Sequence, residues 1–265
     1  MCIVTVGEEI AMVRGSAVRQ NLFGRTVPGM SSQSGELADQ PVSGHSKSTT
    51  AKVIGVSGEL IITFGVLCLL FAIYQLWWTN VAAASQTSAA RSEAQAFING
   101  LDQPSWANGI PPQGTPFGLM YIPRLRDHVW ATPIVQGVDR PQLAQGVGHY
   151  MQTAMPGQAG NVGIAGHRAT NGEPFANFDQ LRKGDKVYIV TSAGWFTYEL
   201  QRDKIVDPSE VWTISPQPFP DDPLPSDHLI TLTTCNPRWA STTRWIYWGV
   251  QIAQSPVEQP PAEVA

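Results

Sequence analysis

The hydrophobic positions of the chain fall into two regions of different character, and the first is one continuous apolar run. The run LIITFGVLCLLFAIYQLWW extends from Leu60 to Trp78 and contains nineteen residues without a charge. A helix that rises 1.5 Å per residue would span roughly 28 Å over this length, close to the hydrocarbon thickness of a bilayer. Tyr74, Trp77 and Trp78 at one end are typical of the membrane–water interface. The pattern predicts a transmembrane helix over 53–78.

Two other interpretations of this run are a buried core helix and a signal peptide cleaved near Ala82–Ala84. A signal peptide has its apolar region near the N-terminus, whereas about fifty mostly polar residues come first here. An uncleaved anchor is therefore favoured. Lys47 and Lys52 precede the run and only Arg91 follows within about twenty residues, a bias that predicts a cytoplasmic N-terminus and an extracellular C-terminal domain.

The second region, 117–252, alternates short β-branched or aromatic runs with Gly, Pro, Asp and Asn. The strand candidates are GLMYIPRL, NVGIAGH, KVYIVTSAGWFTYEL, HLITLTTC and RWIYWGVQI. A hairpin is expected around residues 192–194, and PFANFDQL (174–181) has room for only one or two helical turns. The pattern predicts one mostly β, mostly antiparallel domain, a closed barrel with short connecting helices.

The segments that flank these two regions are polar, small-residue-rich or Pro-containing, and we expect them to lack a packed core. The predicted organisation is a disordered cytoplasmic tail (1–52), a transmembrane helix (53–78), an extracytoplasmic linker (79–115), a β-barrel (116–252) and a disordered C-terminal tail (253–265).

Composition and charge narrow the function classes. The 265 residues include 17 Lys and Arg against 21 Asp and Glu, a formal charge of -4 with a pI of about 5.7. Such a chain has no excess of cations to neutralise a phosphate backbone, so nucleic-acid binding is not expected. Of three cysteines, only Cys235 falls in the β domain. A lone thiol in an oxidising compartment indicates either burial or chemical use.

Cys235 ends one predicted strand and Arg244 begins the next, so that a thiol and a guanidinium share one edge of the sheet. The inert alternative is a packed cysteine and a surface ion pair, and the strand pattern leaves both open. A cysteine nucleophile needs a base or a positive neighbour. His167, which follows an apolar strand, is the preferred partner. Arg238 is a second candidate for the arginine, ranked lower because it lies in a loop.

The other histidines are less suited to this role. His228 starts the strand of Cys235 and lies roughly 23 Å from it if the strand is extended. His128 and His149 occur in turn-like contexts and are expected at the surface. No Cys or His pair has the close spacing of zinc ligands, so no metal site is predicted.

Several of these motifs together resemble the sortases, the cysteine transpeptidases of Gram-positive surfaces. They are the TLTTC that ends in Cys235, an arginine nine residues later, the upstream AGHR, the IPRL strand and the single N-terminal anchor. Within that family TLTTCNP and the anchor are most similar to class E. The resemblance covers roughly 52–252. The SHGC-type signature of L,D-transpeptidases, another class of cell-envelope cysteine enzymes, is absent from the sequence.

The resemblance implies an eight-stranded sortase-type β-barrel and a catalytic triad of His167, Cys235 and Arg244. By analogy, Cys235 attacks the Thr–Gly carbonyl of a C-terminal LPXTG-like sorting signal, closer to LAXTG for class E. Arg244 stabilises the oxyanion or holds the substrate backbone, and His167 exchanges protons with the amines. Thr234 and Tyr121 are expected to contact the substrate.

The implied partners are surface proteins that carry a sorting signal, and a peptidoglycan precursor whose amine resolves the thioester. The resemblance implies no cofactor, and the calcium site of class A sortases is not carried over because no carboxylate cluster matches it. Two alternatives stay open at this point: a non-catalytic barrel that binds envelope peptides, and a peptidase that gives its acyl group to water.

Overall fold

The computed structural model describes residues 49–102, 104–106 and 109–265, so residues 1–48 of the tail predicted over 1–52 lie outside this set and residues 49–52 belong to a helix. Helix α1 extends over Thr49–Ile98. Within the described residues, one helical stretch, Gly55–Tyr74, is long and apolar enough to cross a membrane, with a mean hydropathy of 2.3. This finding agrees with a single transmembrane helix. The chain divides into two compact units, and the second, which runs from Leu70 to Ala265, contains the β domain.

Eight strands within the continuous stretch 109–265 close into a barrel in the order β1-β2-β3-β4-β7-β8-β6-β5, as predicted. The strands are β1 (Pro116–Tyr121), β2 (Thr132–Gln136), β3 (Val147–His149), β4 (Gly160–Ala165), β5 (Lys186–Thr191), β6 (Gly194–Val206), β7 (His228–Asn236) and β8 (Thr243–Ser255). The connections contain helix α2 (Arg140–Leu143) and 3₁₀ turns at Pro123–Leu125, Phe178–Gln180 and Val211–Ile214.

Two of the strand pairs are parallel, and one of them determines where the candidate site residues meet. β2 pairs with β3 and β4 pairs with β7 in parallel, whereas the other neighbours are antiparallel. A parallel pair needs a long crossover, which the β5–β6 hairpin and the segment before β7 provide here. The carboxyl ends of β4 and β7 therefore lie at the same end of the barrel. The interior is filled by side chains such as Phe117, Ile164 and Ile230, all at most 1% exposed.

The segment predicted as a linker is more than a spacer. α1 continues to Ile98, and its C-terminal part packs on the outside of the barrel through Ala90, Ala94 and Ile98, which are at most 6% exposed. Ala94 and Ile98 share a cluster with Leu119, Tyr188, Val190 and Trp195. The segment was predicted to be a linker because it is rich in alanine. These small side chains instead allow the helix backbone to approach the sheet closely.

The prediction of a disordered tail from residue 253 is wrong. β8 continues to Ser255, and the indole N–H of Trp195 donates a hydrogen bond of 3.0 Å to the carbonyl oxygen of Val257. Val257 and Val264 pack against the same outer cluster as α1, and Lys186 pairs with Glu263 at 2.9 Å. These apolar contacts order a segment whose Pro-rich, polar sequence has no periodicity of its own.

Candidate active site

The register of β4 against β7 brings His167 beside Cys235. Ala165 pairs with Thr233, and the N–H of Gly166 donates to the carbonyl oxygen of Thr233 at 3.1 Å. One residue further along, the hydroxyl of Thr234 donates to the carbonyl oxygen of Gly166 at 2.9 Å. These bonds hold the chain that leaves β4 against the end of β7. His167 and Cys235 are consequently the next residues on two adjacent segments.

The antiparallel pairing of β7 with β8 places Arg244 directly opposite Cys235. The next pair, Asn236 and Thr243, closes the loop 237–242, and their side chains are joined by a hydrogen bond of 3.2 Å. His167, Cys235 and Arg244 therefore come from three adjacent segments at one end of the barrel, the edge arrangement that the sequence predicted for Cys235 and Arg244.

Cys235 and His167 line one groove of about 850 Å³. Both side chains are largely buried, at 6% and 7% exposed, so that each presents only a small surface to it. The walls come from the C-terminal part of α1, from α2, from the chain after β4 and from the loop after β7. Wall residues that the sequence did not single out include Glu93, Arg140 and Trp239.

The side chain of Arg244 lines a second cavity of about 210 Å³, whose other walls are mostly apolar and include Tyr150, Thr233 and Ile246. Its Nη1 donates to the carbonyl oxygens of Ser241 at 3.1 Å and Thr243 at 2.9 Å. Burial lowers the pKa of this guanidinium. The structure thus joins His167 and Cys235 in one groove and holds Arg244 across the ladder from Cys235, beside a smaller pocket.

Two of the arginines that line the groove, Arg238 and Arg168, are held by carboxylates. Arg238, the second candidate for the catalytic arginine, lines the groove and forms an ion pair with Glu173. Arg168 is buried, and its guanidinium donates to Asn236 Oδ1 at 2.7 Å and to Asp179 Oδ1 at 3.1 Å. Arg168 therefore ties the chain after β4 to the last residue of β7.

The two expected substrate-contacting residues lie in different places. Thr234 is 1% exposed and lines the smaller cavity with Arg244, while its hydroxyl is used in the bond to Gly166. Tyr121 is not among the described residues that line either cavity. It packs edge-on against Trp130 and beside Trp195, with ring centroids 5.3 and 5.5 Å away, because β1 lies on the opposite side of the barrel from β7.

Neither His228 nor His149 is among the described residues that line the groove of Cys235. His228 starts β7, opposite Gly160, and so lies at the far end of the strand from Cys235. The expectation of a surface position for His149 is wrong, because this residue is fully buried in β3. Its Nδ1 lies 2.7 Å from Gln136 Oε1, and its Nε2 lies 2.9 Å from the carbonyl oxygen of Ala154. These partners satisfy a polar ring that the local sequence places in a turn.

The electrostatic surroundings of His167 favour its neutral form. Burial lowers the pKa of the imidazole, and the positive charge of Arg140 lowers it further. The side-chain amide of Asn171 lies 3.4 Å from its Nε2. A histidine with a lowered pKa is a stronger acid once protonated, and its neutral form is available as a base at neutral pH.

Comparison with known proteins agrees with this geometry. Residues 120–252 match the sortase domain family. Sortase SrtE1 of Streptomyces coelicolor is 40% identical over 214 residues, which are 75% of this chain and 57% of the relative, so the chain spans little more than half of that protein. Sortase SrtE2 of the same organism is 30% identical over 81% of this chain and 89% of its own length.

Among solved structures, sortase E from Streptomyces avermitilis superimposes with a TM-score of 0.53 and 38% identity, covering 58% of this chain and all of that one. The family match, the barrel and the class E relatives support the same family assignment as the TLTTC, AGHR and IPRL motifs. The chain is a member of the sortase family of cysteine transpeptidases and is similar to its class E.

Proposed function

We propose that this protein is a membrane-anchored sortase that cleaves a C-terminal sorting signal and joins the released carbonyl to an amine of a cell-wall precursor. The observation that supports this proposal most directly is the groove shared by Cys235 and His167, with Arg244 opposite Cys235 in the β-ladder. Gly55–Tyr74 acts as the anchor, with the N-terminus in the cytoplasm and the barrel outside the cell.

In the first half of the proposed reaction, the neutral imidazole of His167 takes the proton of the Cys235 thiol, and the resulting thiolate attacks the carbonyl carbon between Thr and Gly of the signal. A C–S bond forms, the C–N bond breaks, and the imidazolium of His167 gives its proton to the departing amine. Because the pKa of His167 is lowered, this proton transfer is easier than from an ordinary histidine. Arg244 donates hydrogen bonds to the substrate oxygens on which negative charge develops.

In the second half, an amine attacks the thioester carbon and His167 accepts its proton. The C–N bond of the product forms and the C–S bond breaks, and the proton then passes from the imidazolium back to the thiolate, which restores the starting state. The catalytic residues are thus unchanged after one transfer, and no oxidant or cofactor takes part in the balance.

The leucine end of the sorting signal is assigned to the smaller cavity, beside Arg244. Aliphatic groups of Val138, Leu143 and Ile246 line the smaller cavity, which suits the leucine of an LAXTG-type signal. Thr234 stabilises this binding surface by holding the end of β4. A solved structure of Sortase E1 from Streptomyces coelicolor contains a tripeptide in its active site, which supports a peptide substrate for this chain.

The test is a comparison of two cysteine variants of the full chain in detergent with reductant. With an LAXTG peptide and mass spectrometry, the parent and Cys68→Ala are expected to form a thioester and to transfer the acyl group to an added amine. Cys235→Ala is expected to form neither product while keeping its melting temperature. Transfer by Cys235→Ala would refute the mechanism, and cleavage that an added amine cannot divert into ligation would favour a peptidase.

A further inference from the structure

The arginines that line the groove differ in one respect. Arg168 pairs with Asp179 and Arg238 pairs with Glu173, so each of these guanidinium groups already faces a carboxylate. Arg140 forms no ion pair within the part of the chain that the structure describes. It lines the same groove as Cys235 and His167 and is exposed to solvent. An accessible guanidinium without a carboxylate is available to bind an anion.

Arg140 lines the groove that contains the proposed reacting groups, and its backbone is held by the fold. Arg140 and His167 line the same groove, and the positive charge of Arg140 contributes to lowering the pKa of His167. Pro141 follows Arg140, and the buried Leu143 anchors α2 to the barrel. The carboxylate of Asp139 on its other side accepts a hydrogen bond from Gln113 at 2.7 Å. The backbone that carries Arg140 therefore has a fixed place beside His167.

The part of the groove wall that α1 forms carries a negative charge, opposite in sign to that of Arg140. Glu93 lines the groove and likewise forms no ion pair with any described residue. Burial raises its pKa, and the negative charge of Asp102 raises it further, so the nearby charge is of the same sign. Ala90 and Ala94, which flank this face of α1, are almost completely buried and hold the wall in place. Among the described residues that line the groove, Arg140 and Glu93 are thus a cation and an anion without an ion pair.

We infer that the acceptor amine of this sortase is borne by an amino acid-like group that also carries a free carboxylate, and that Arg140 binds this carboxylate. Glu93 attracts the ammonium form of the same acceptor as it enters from solvent, and the ammonium loses one proton to solvent to become the attacking amine. Arg140 then holds the acceptor beside His167, which takes the proton as the amine attacks the thioester of Cys235. This inference rests on the proposed function, because it names the class of acceptor for the second half-reaction.

The test uses two acceptors that differ only in the anion. Glycine and glycinamide present an amine on the same carbon, next to a carboxylate in one and a carboxamide in the other. The full chain in detergent is given an LAXTG peptide with each acceptor, and kcat/KM for the acceptor is measured. The ratio of the glycine value to the glycinamide value is compared between variants, so that the different basicities of the two amines cancel.

Arg140→Gln is expected to lower this ratio by roughly tenfold, because one charge-assisted hydrogen bond to the acceptor is lost. Arg140→Lys is expected to restore part of it, since the charge remains. The matched control is Arg202→Gln, which removes a surface arginine paired with Asp222 and is expected to leave the ratio unchanged. The rate of thioester formation in the absence of acceptor is followed as a separate readout.

An unchanged ratio in Arg140→Gln would overturn the inference, and so would an equal loss with both acceptors, because a purely structural role does not distinguish carboxylate from carboxamide. Failure of the parent protein to form a thioester would instead refute the proposed function. The two failures are therefore separable in one set of measurements.

Discussion

The close contact between Gly166 and Phe175 makes a sharp prediction about the active site. A Cβ added at Gly166 would lie 2.6 Å from Phe175 Cδ2 and 2.8 Å from its Cε2. Carbon atoms that are not bonded stay about 3.5–4.0 Å apart, so the ring or the backbone must move by roughly 0.9 Å. Phe175 is fully buried and packs against Phe178 at a centroid distance of 5.3 Å, which leaves the ring little room.

Gly166→Ala should therefore destabilise the domain by about 1–3 kcal/mol, the usual cost of overpacking, and lower its melting temperature by roughly 3–10 °C. Gly166 also precedes His167 and accepts the hydroxyl bond of Thr234. A shift of this size in a catalytic group slows reactions by up to about a hundredfold. We expect thioester formation to slow by about tenfold to a hundredfold.

The assay combines thermal unfolding with the single-turnover rate of thioester formation on an LAXTG peptide. Gly109→Ala is the matched control, because the nearest atom to its added Cβ, the carbonyl oxygen of Trp106, is at an ordinary 3.5 Å. Adding Phe175→Leu to Gly166→Ala should recover part of the lost stability by making room for the methyl group. A Gly166→Ala protein that melts and reacts like its parent would refute the reasoning.

Two further predictions concern stability. Truncation after Ser255 removes the packing of Val257 and Val264 and should lower the free energy of unfolding by about 2 kcal/mol, measured by chemical denaturation; an unchanged value would show that the segment contributes nothing. Burial lowers the pKa of both His149 and His167, so the unfolded chain binds protons more readily below about pH 6.5. The melting temperature should consequently fall between pH 7 and pH 5, and a flat profile would contradict this assignment.

The fold was predictable where local sequence and local structure agree. The predicted runs became strands except at Pro123–Leu125, which forms a 3₁₀ turn, while β2 and β3 were not among them. The β5–β6 hairpin joins Thr191 to Gly194 as expected. The adjacency of Cys235 and Arg244 followed from one property of antiparallel neighbours, that the end of one strand faces the start of the next.

The parts that sequence did not predict depend on contacts between distant segments. The α1 wall of the groove arises because Ala90 and Ala94 fit against the barrel, and a stretch of alanines predicts helix without predicting what the helix covers. The burial of His149 depends on Gln136 and Ala154, whose positions relative to it are fixed only by the sheet. Tyr121 was expected to contact the substrate, but it packs in an aromatic cluster on the side of the barrel opposite β7.

The loop 237–242 has its two ends fastened by the last rungs of the β7–β8 ladder, Cys235 with Arg244 and Asn236 with Thr243. Residues between these rungs can change in number and type without altering the spacing of the thiol and the guanidinium. This loop carries Trp239 and Ser241 at the groove. Its sequence can therefore vary, naturally or by design, to change which acceptor binds, while Cys235 and Arg244 keep their positions.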